Sequence, residues 1–124
     1  MKKEFKGYEI EPFKSFREVV KRNIEKKGDK TAFMYRQKGK IHSVLYSEFL
    51  NETICLGNAL SEKGLSSKHV ACIGDNCYRW IVVFFTMLHS NGVFVPVDRQ
   101  LPAEDIATVL NHSDTEVLFF TSNY

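Results

Sequence analysis

Residues 70–97, VACIGDNCYRWIVVFFTMLHSNGVFVPV, decide the fold of this 124-residue chain. Two short β-branched runs enclose a longer apolar segment, and a helical pattern and one more strand follow. Alternating strands and helices are typical of parallel crossover units. We therefore predict an α/β fold with a partial parallel sheet, helices on both faces and a peripheral β-hairpin. The predicted elements of the sheet are strands at 70–73, 93–97 and 117–120 and helices at 77–90 and 102–111.

The apolar segment at 77–90 is compatible with either a helix or a buried strand, because β-branched and aromatic residues fill it. Its flanks favour a helix, since Asp75 and Asn76 are good N-caps and Asn91 with Gly92 makes a good left-handed stop. Its length also exceeds that of a typical strand. A helix that is apolar nearly all round needs more cover than so short a chain provides, so we expect self-association.

The N-terminal half is predicted to contain an irregular start, two helices and the hairpin, whose turn Gly39 allows. Apolar residues recur at helical spacing on either side of a β-rich pair of runs. The predicted segments are an irregular stretch at 1–13, a helix at 16–27, strands at 31–36 and 41–46, and a helix at 48–63.

Five residues mark the expected helix ends. Ser15 and Ser47 have hydroxyls that can accept from free amides at helix starts. Gly28 and Gly64 can adopt the left-handed conformation that ends a helix. Pro102 suits the first helical position, where its missing amide costs nothing.

Composition indicates an ordinary globular protein and argues against several partners. Seventeen Lys and Arg residues against fifteen Asp and Glu residues give a formal net charge of +2. This charge is too small to indicate nucleic acid binding, and the acids among the N-terminal lysines predict a solvated face. No apolar run is long enough for a signal peptide or a transmembrane segment. Three cysteines, an odd number without zinc spacing, indicate a reduced, cytoplasmic protein.

The histidines, the cysteines and the polar residues after the strands are predicted to have structural roles. None of the four histidines has metal-ligand spacing. Cys77 lies near a predicted helix start that could activate its thiol, whereas Cys72 suits a small core position. Asp75 and Asn76 follow a strand, where parallel sheets place ligands, but helix capping is the favoured role. Asp98 suits a turn.

Three stretches resemble motifs of the adenylate-forming enzymes, which include acyl-CoA synthetases, peptide-synthetase adenylation domains and luciferases. Residues 45–49, LYSEF, are similar to the first core motif, and residues 88–98, LHSNGVFVPVD, match the second without a gap. Residues 76–80 are similar to the family's Asn-x-x-Glu-Trp run, with Arg79 in place of Glu. The likeness covers about residues 14–122. The residues carried over from these motifs are Tyr46, Glu48, Asn76, Trp80, Gly92, Pro96 and Asp98.

The resemblance implies that residues 14–124 form the N-terminal part of an AMP-binding domain, truncated before its end. Residues 97–102 look most like bacterial long-chain fatty-acid–CoA ligases. Such enzymes join a carboxylic acid, here a fatty acid, to the α-phosphate of ATP and then pass the acyl group to coenzyme A. ATP, Mg and CoA are therefore implied for a full-length parent.

The resemblance also shows which parts are missing. The family holds phosphate with a Ser/Thr/Gly-rich loop that ends in Lys, but Gly92 is the last glycine here and 32 residues follow it. We therefore expect an inactive scaffold fragment with no catalytic residue, bound cofactor or metal. The alternative hypothesis is a free-standing α/β module that binds a partner through uncovered apolar surface.

Overall fold

The chain was analysed as a computed structural model, which describes Gly7 and residues 11–121. Gly7 and residues 11–13 have no regular secondary structure, and the rest of the predicted irregular start lies outside the described residues. The elements in chain order are α1 (Phe16–Lys27), β1 (Thr31–Gln37), β2 (Lys40–Leu45), α2 (Tyr46–Glu62), β3 (His69–Ile73), α3 (Tyr78–His89), β4 (Val93–Val97), α4 (Ala103–His112) and β5 (Thr115–Phe120).

The larger sheet is parallel, which confirms the predicted fold class. Its strand order is β4-β3-β5, with β3 in the middle. His69 at the start of β3 pairs with Val93 of β4 and with Thr115 of β5. The helices α3 and α4 connect successive parallel strands, as crossover units require.

Each face of this sheet carries a separate core, so helices cover both faces as predicted. Residues 70–73 of the central strand β3 are apolar and buried, as expected for a strand that is covered on both faces. Alternate residues of β3 contribute to the two cores. The core beneath α2 and α3 consists of Leu60, Val70, Cys72, Val83 and Met87. The core beneath α4 consists of Ala71, Ile73 and Val97, with Ile106, Val109 and Leu110 packed against it.

The predicted hairpin is confirmed, with a shorter turn than expected. β1 and β2 pair antiparallel from Thr31 with Leu45 to Gln37 with Lys40. Only Lys38 and Gly39 lie between the strands, and both have positive φ, 48° and 77°. Two consecutive left-handed residues match the right-handed twist of the strands, which favours this turn in two-residue hairpins.

Aromatic rings attach the hairpin to α2 and α3. Phe33 of β1 lies edge-on to Phe49 of α2, with ring centroids 4.9 Å apart. Tyr35 stacks on Tyr78 of α3 at 5.2 Å. With Val44 and Val82, these rings form a third apolar cluster. The hairpin is therefore packed on one face and open to solvent on the other.

The helix α3 is better covered than its sequence suggested. Its residues Tyr78, Val82, Val83, Thr86 and Met87 are buried, and only Arg79 is exposed. The helix packs against α1, α2, β3 and β4. The expectation that a chain of this length could hardly cover it is therefore wrong, because four elements converge on it.

The caps predicted at Ser15 and Gly64 are confirmed. The Glu18 amide donates to the Ser15 hydroxyl at 3.3 Å. Gly64 has a φ of 70°, and the next amide, that of Leu65, donates to the carbonyl of Leu60 at 2.8 Å. This six-to-one bond is the mark of a Schellman stop.

The caps predicted at Gly28 and Ser47 are wrong for a shared reason. Gly28 has right-handed angles, φ −48° and ψ −39°, and Leu45 rather than Ser47 occupies the N-cap of α2. The Gly28 carbonyl instead accepts from the amide of Ser47 at 3.2 Å and from its hydroxyl at 3.0 Å. A contact across nineteen positions of sequence thus replaces both local caps.

The predicted ends of the last two helices also need correction. Cys77 is the N-cap of α3, without a side-chain cap bond, in place of Asp75 or Asn76. Asn91 does not adopt a positive φ, because the extended Ser90 ends the helix and its hydroxyl accepts from the Gly92 amide at 3.1 Å.

Pro102 precedes the first turn of α4 instead of beginning it. Its ψ of 153° is extended, which defines it as the N-cap residue. Its carbonyl accepts from the amides of Asp105 and Ile106, each at 3.0 Å. The proline still loses nothing there, since its missing amide lies outside the helical ladder.

Within the part of the chain that the structure describes, no helix has both the length and the hydropathy needed to cross a bilayer.

Candidate functional site

In open parallel sheets, ligands bind in the crevice at the carboxyl ends of the strands. Here the loop after β3, the loop after β4 and the residue after β5 meet. Gly74 has a φ of 148°, and a Cβ atom on it would lie 2.6 Å from the Thr121 side chain. Only glycine allows this close approach, so Gly74 and Thr121 join the central strand to β5 at this edge.

The charged side chains at this edge are engaged with one another. Asp75, after β3, forms an ion pair with Arg99, after β4. The Asp98 carboxylate accepts from the Gln100 amide at 2.9 Å, which closes an Asx turn. Asp75 and Arg99 are both about half exposed, so the pair stabilises the edge by less than about 1 kcal/mol. These contacts order the loops at this edge.

A cleft of about 700 Å³ opens beside this edge, between β5, the start of α3 and the middle of α2. Its walls are mostly apolar, including Trp80 and Phe119. Glu52, Arg79 and the Cys77 thiol supply polar groups. Apolar walls with a few polar groups are typical of ligand clefts. Nothing in the lining, however, forms a nucleophile–base pair.

The described residues do not fit a triphosphate. Phosphate is held in proteins by consecutive backbone amides, usually in a glycine-rich loop, together with a lysine and a metal ion. At this edge Gly74 is packed against Thr121, and the Arg99 guanidinium is paired with Asp75. Among residues 11–121 no group of three His, Cys, Asp or Glu side chains is close enough to hold a metal ion. We derive no catalytic step from these residues.

Of the two cysteines near the cleft, Cys72 is a core residue. Its side chain is buried on β3. Burial, and next the neighbouring Cys77, raise the pKa of the Cys72 thiol to about 11. The group is therefore a neutral thiol at physiological pH and a poor nucleophile. All three cysteines, Cys55 included, are unpaired.

The residues carried over from the first motif lie at the start of α2. The Glu48 carboxylate accepts from the Leu45 amide at 2.8 Å and so satisfies a free donor at the helix start. The Tyr46 amide donates to the carbonyl of Lys30 at 3.0 Å. The structure thus places both residues at the junction of the hairpin and α2, far along the chain from the second motif.

The residues carried over from the middle stretch occupy α3 and the loop before it. Asn76 is exposed in that loop. Trp80 is half-buried, stacks on Phe84 at 5.7 Å and meets Phe94 edge-on at 5.2 Å. Trp80 lines the cleft, whereas Asn76 borders a smaller recess under the hairpin.

The second motif joins α3 to β4. A Cβ atom on Gly92 would lie 2.5 Å from the Lys68 carbonyl oxygen and 2.5 Å from the Met87 methyl. Pro96 pairs with Cys72, and it is tolerated because β4 is an edge strand. Only Asp98 of this motif reaches the carboxyl edge, next to Arg99. The structure therefore does not bring the predicted residues together in one place.

Two buried polar groups were not anticipated from the sequence. The Tyr78 hydroxyl is buried, and burial, followed by the nearby Glu52 carboxylate, raises the pKa of Tyr78. The Thr86 hydroxyl donates to the carbonyl of Val82 at 2.8 Å within its own helix. Neither has a sequence signal, because both stand in an apolar helix whose contacts depend on distant residues.

Comparison with known proteins decides the family. A family model described as AMP-binding enzyme matches residues 20–123. The chain belongs to the AMP-binding enzyme family. A 4-hydroxybutyrate–CoA ligase of Metallosphaera sedula is 29% identical over 97 residues, which are 77% of this chain and 17% of that protein. A long-chain-fatty-acid–CoA ligase of Thermus thermophilus is 28% identical over 86 residues, 68% of this chain and 16% of that protein.

Solved structures agree on the fold of this AMP-binding chain. The N-terminal subdomain of NpsA from Klebsiella oxytoca matches 90% of the chain with a TM-score of 0.78 and 18% identity, and the chain covers 29% of it. A structure from Rhodopseudomonas palustris, described as a long-chain-fatty-acid CoA ligase, matches 89% of the chain with a TM-score of 0.80 and 25% identity, and the chain covers 27% of it. The chain thus spans less than a fifth of the two curated ligases named above.

Proposed function

We propose that the chain forms part of the scaffold of the large N-terminal domain of an AMP-forming acyl-CoA synthetase. The single observation that carries this proposal is the family match across residues 20–123. The described residues supply a packed parallel sheet and no phosphate-binding group. The chain's contribution to catalysis is therefore to support sequence that holds the nucleotide.

The proposed reaction of the full-length parent has two half-reactions. A carboxylate oxygen attacks the α-phosphorus of ATP and pyrophosphate leaves; the thiol of coenzyme A then attacks the acyl carbon and AMP leaves. The charge that develops on phosphate calls for a metal ion and backbone amides. ATP, Mg and CoA would be held by residues outside this chain.

The motif residues have structural roles in this proposal. Gly92 and Pro96 permit the tight junction of α3 with β4, Trp80 packs α3 against β4, and Asp98 closes a turn at the carboxyl edge. Glu48 caps α2. Each positions a loop or a helix start. None is proposed to touch a reacting atom.

A fatty acid is the acyl substrate that we propose. The stretch at 97–102 resembles fatty-acid–CoA ligases, and two relatives carry that description, in Thermus thermophilus and Rhodopseudomonas palustris. Screening the complete gene product against carboxylic acids of graded chain length for adenylate formation tests this. Preference for a short hydroxy acid or an amino acid would contradict the fatty-acid proposal and leave the adenylation proposal intact.

An exchange assay tests the scaffold proposal itself. The 124-residue chain, incubated with ATP, Mg²⁺, labelled pyrophosphate and a mixture of fatty acids, should give no exchange above a protein-free blank. The complete gene product is the positive control. Robust exchange by the chain alone would contradict the proposal.

We also propose that the protein is cytoplasmic. Its three unpaired cysteines support this proposal, because thiols stay reduced in that compartment.

A second candidate function, a free-standing interaction module, is favoured by the open edge of β5. Among the residues that the structure describes, this strand pairs only with β3, and its Leu118 and Phe120 are 40% and 60% exposed. An unpaired apolar edge strand is a template for another strand. We propose that a second copy of the chain covers it. Light scattering should show a dimer or larger species that Phe120→Lys disrupts and Ile54→Lys, on α2, does not; a monomer at high concentration would contradict this.

A further inference from the structure

The hairpin formed by β1 and β2 carries an uncompensated positive charge. Arg36, Lys38 and Lys40 lie at or near its turn, and no Asp or Glu occurs from residue 30 to residue 47. All three cationic side chains are exposed. None of the three has an ion-pair partner among the residues that the structure describes. We call the segment 31–45 the basic hairpin.

The lysine-rich helix α1 provides the contrast. Arg22 pairs with both Glu11 and Glu18 at 3.0 Å, and Lys26 pairs with Glu11 at 3.2 Å. Lysine content alone therefore does not distinguish the two regions. The difference is that acids pair with three of the five cations of α1, whereas none of the three cations of the basic hairpin is paired among the described residues.

Exposed apolar side chains stand beside these cations. Met34 and Ile41 are 67% and 61% exposed, more than any other large apolar residue described. In the hairpin register Met34 pairs with Ser43 and Arg36 pairs with Ile41. Paired residues, and residues two apart on one strand, share a face. Met34, Ile41 and Arg36 therefore lie on the same outer face.

Aromatic packing fixes which face of the hairpin is turned toward the helices. Tyr35 stacks on the buried Tyr78, and Phe33 packs against Phe49. These contacts hold the inner face against α2 and α3. A shift of register by one residue would expose both rings to water, so the outer face stays on the side away from α2 and α3.

We propose that the outer face of the basic hairpin binds the surface of a membrane rich in anionic lipid. Arg36 on this face and Lys38 in the turn complement lipid phosphate charge, while Met34 and Ile41 are placed to enter the boundary between headgroups and acyl chains. Lys40 pairs with Gln37 and therefore lies on the opposite face, with Tyr35. A solvated acidic protein surface would match the charge of the hairpin but would not bury these two apolar side chains. Single-stranded nucleic acid would require exposed stacking rings, and the aromatic rings of the hairpin face inward. Two cations and two apolar side chains make this binding weak and reversible.

Co-sedimentation with lipid vesicles tests the proposal on the 124-residue chain. We expect binding to vesicles of equal parts phosphatidylcholine and phosphatidylglycerol, loss of binding at high salt, and no binding to pure phosphatidylcholine. The double variant Arg36→Glu/Lys38→Glu should lower the partition coefficient at least about tenfold, because each lost cation removes an attraction of roughly fivefold. A matched control, Lys21→Glu/Lys63→Glu, makes the same charge change elsewhere and should retain most of the binding.

A second variant separates apolar insertion from charge. Met34→Ser/Ile41→Ser keeps every cation and should lower binding severalfold at all salt concentrations. Thermal unfolding of each variant checks that the fold is retained. Equal losses in the two charge variants, equal binding to neutral and anionic vesicles, or tighter binding to a DNA oligonucleotide than to anionic vesicles would each overturn the proposal. Its outcome is independent of the exchange assay, because neither assay uses the other's ligand.

Discussion

The junction between α3 and β4 offers the sharpest test of the packing. Gly92 has no positive φ that would require glycine, yet an added Cβ atom would lie 2.5 Å from the Lys68 carbonyl oxygen and 3.0 Å from that of Ser66. It would also lie 2.5 Å from the Met87 methyl. The variant Gly92→Ala therefore tests steric close approach alone.

The loss of stability in Gly92→Ala depends on whether each atom near the added Cβ can move away. The Met87 methyl can rotate away, but the two carbonyl oxygens belong to the loop that leads into β3 and move only if the backbone moves. Overpacking that forces backbone shifts costs about 1 to 3 kcal/mol. We expect the upper end, ~3 kcal/mol, which for a chain of this size lowers the melting temperature by ~12 °C.

Urea denaturation followed by circular dichroism measures this change in the free energy of unfolding. Gly57→Ala is the matched control, since Gly57 lies inside α2 and its added Cβ atom would meet only the Thr86 methyl at 3.7 Å. Alanine is the better helix former by up to ~1 kcal/mol, so this control should be neutral or stabilising. The reasoning fails if Gly92→Ala unfolds at the same urea concentration as Gly57→Ala or at a higher one.

Three further outcomes are expected. Burial raises the pKa of Tyr78, so the folded state holds the phenol proton more tightly than the unfolded state. The stability that this proton contributes is complete below about pH 10 and is lost above it. The free energy of unfolding, measured by urea titration at several pH values, should therefore fall less steeply above about pH 10 in Tyr78→Phe. Iodoacetamide at pH 8 should label the exposed Cys55 but not Cys72 until urea is added, and mass spectrometry would reveal any early label on Cys72. Glu48→Ala should lower the free energy of unfolding by ~1 kcal/mol, because the hydrogen bond from the Leu45 amide is lost. Glu48→Gln keeps an acceptor and should retain most of that stability. Equal losses in the two variants would mean that this bond is not the cause.

Local signals in the sequence were enough to predict the order and type of the elements. The strand β4 was predicted with its observed bounds, and α1 likewise, because hydrophobic periodicity and the Ser15 cap are local signals. The hairpin and the Schellman stop at Gly64 were equally predictable, since their turns depend on one glycine each. The motif resemblance led to the family that the comparisons confirm.

Contacts between distant residues decided the rest. Ser47 was expected to cap its own helix but instead binds the Gly28 carbonyl. Asp75 was expected to cap α3 but pairs with Arg99 in another loop. A polar side chain chooses among local and distant partners of similar energy, so only the folded chain determines which it takes.

Burial and surface character depend on the same long-range arrangement. The apolar α3 was expected to lack cover, yet four elements pack against it, while the three most exposed large apolar residues, Met34, Ile41 and Phe120, lie on the basic hairpin and on β5. Periodicity shows which residues can share a face of a helix or strand. Whether that face contacts another element or water depends on the strand order and on the side of the sheet on which each crossover helix packs. Neither can be predicted from local sequence.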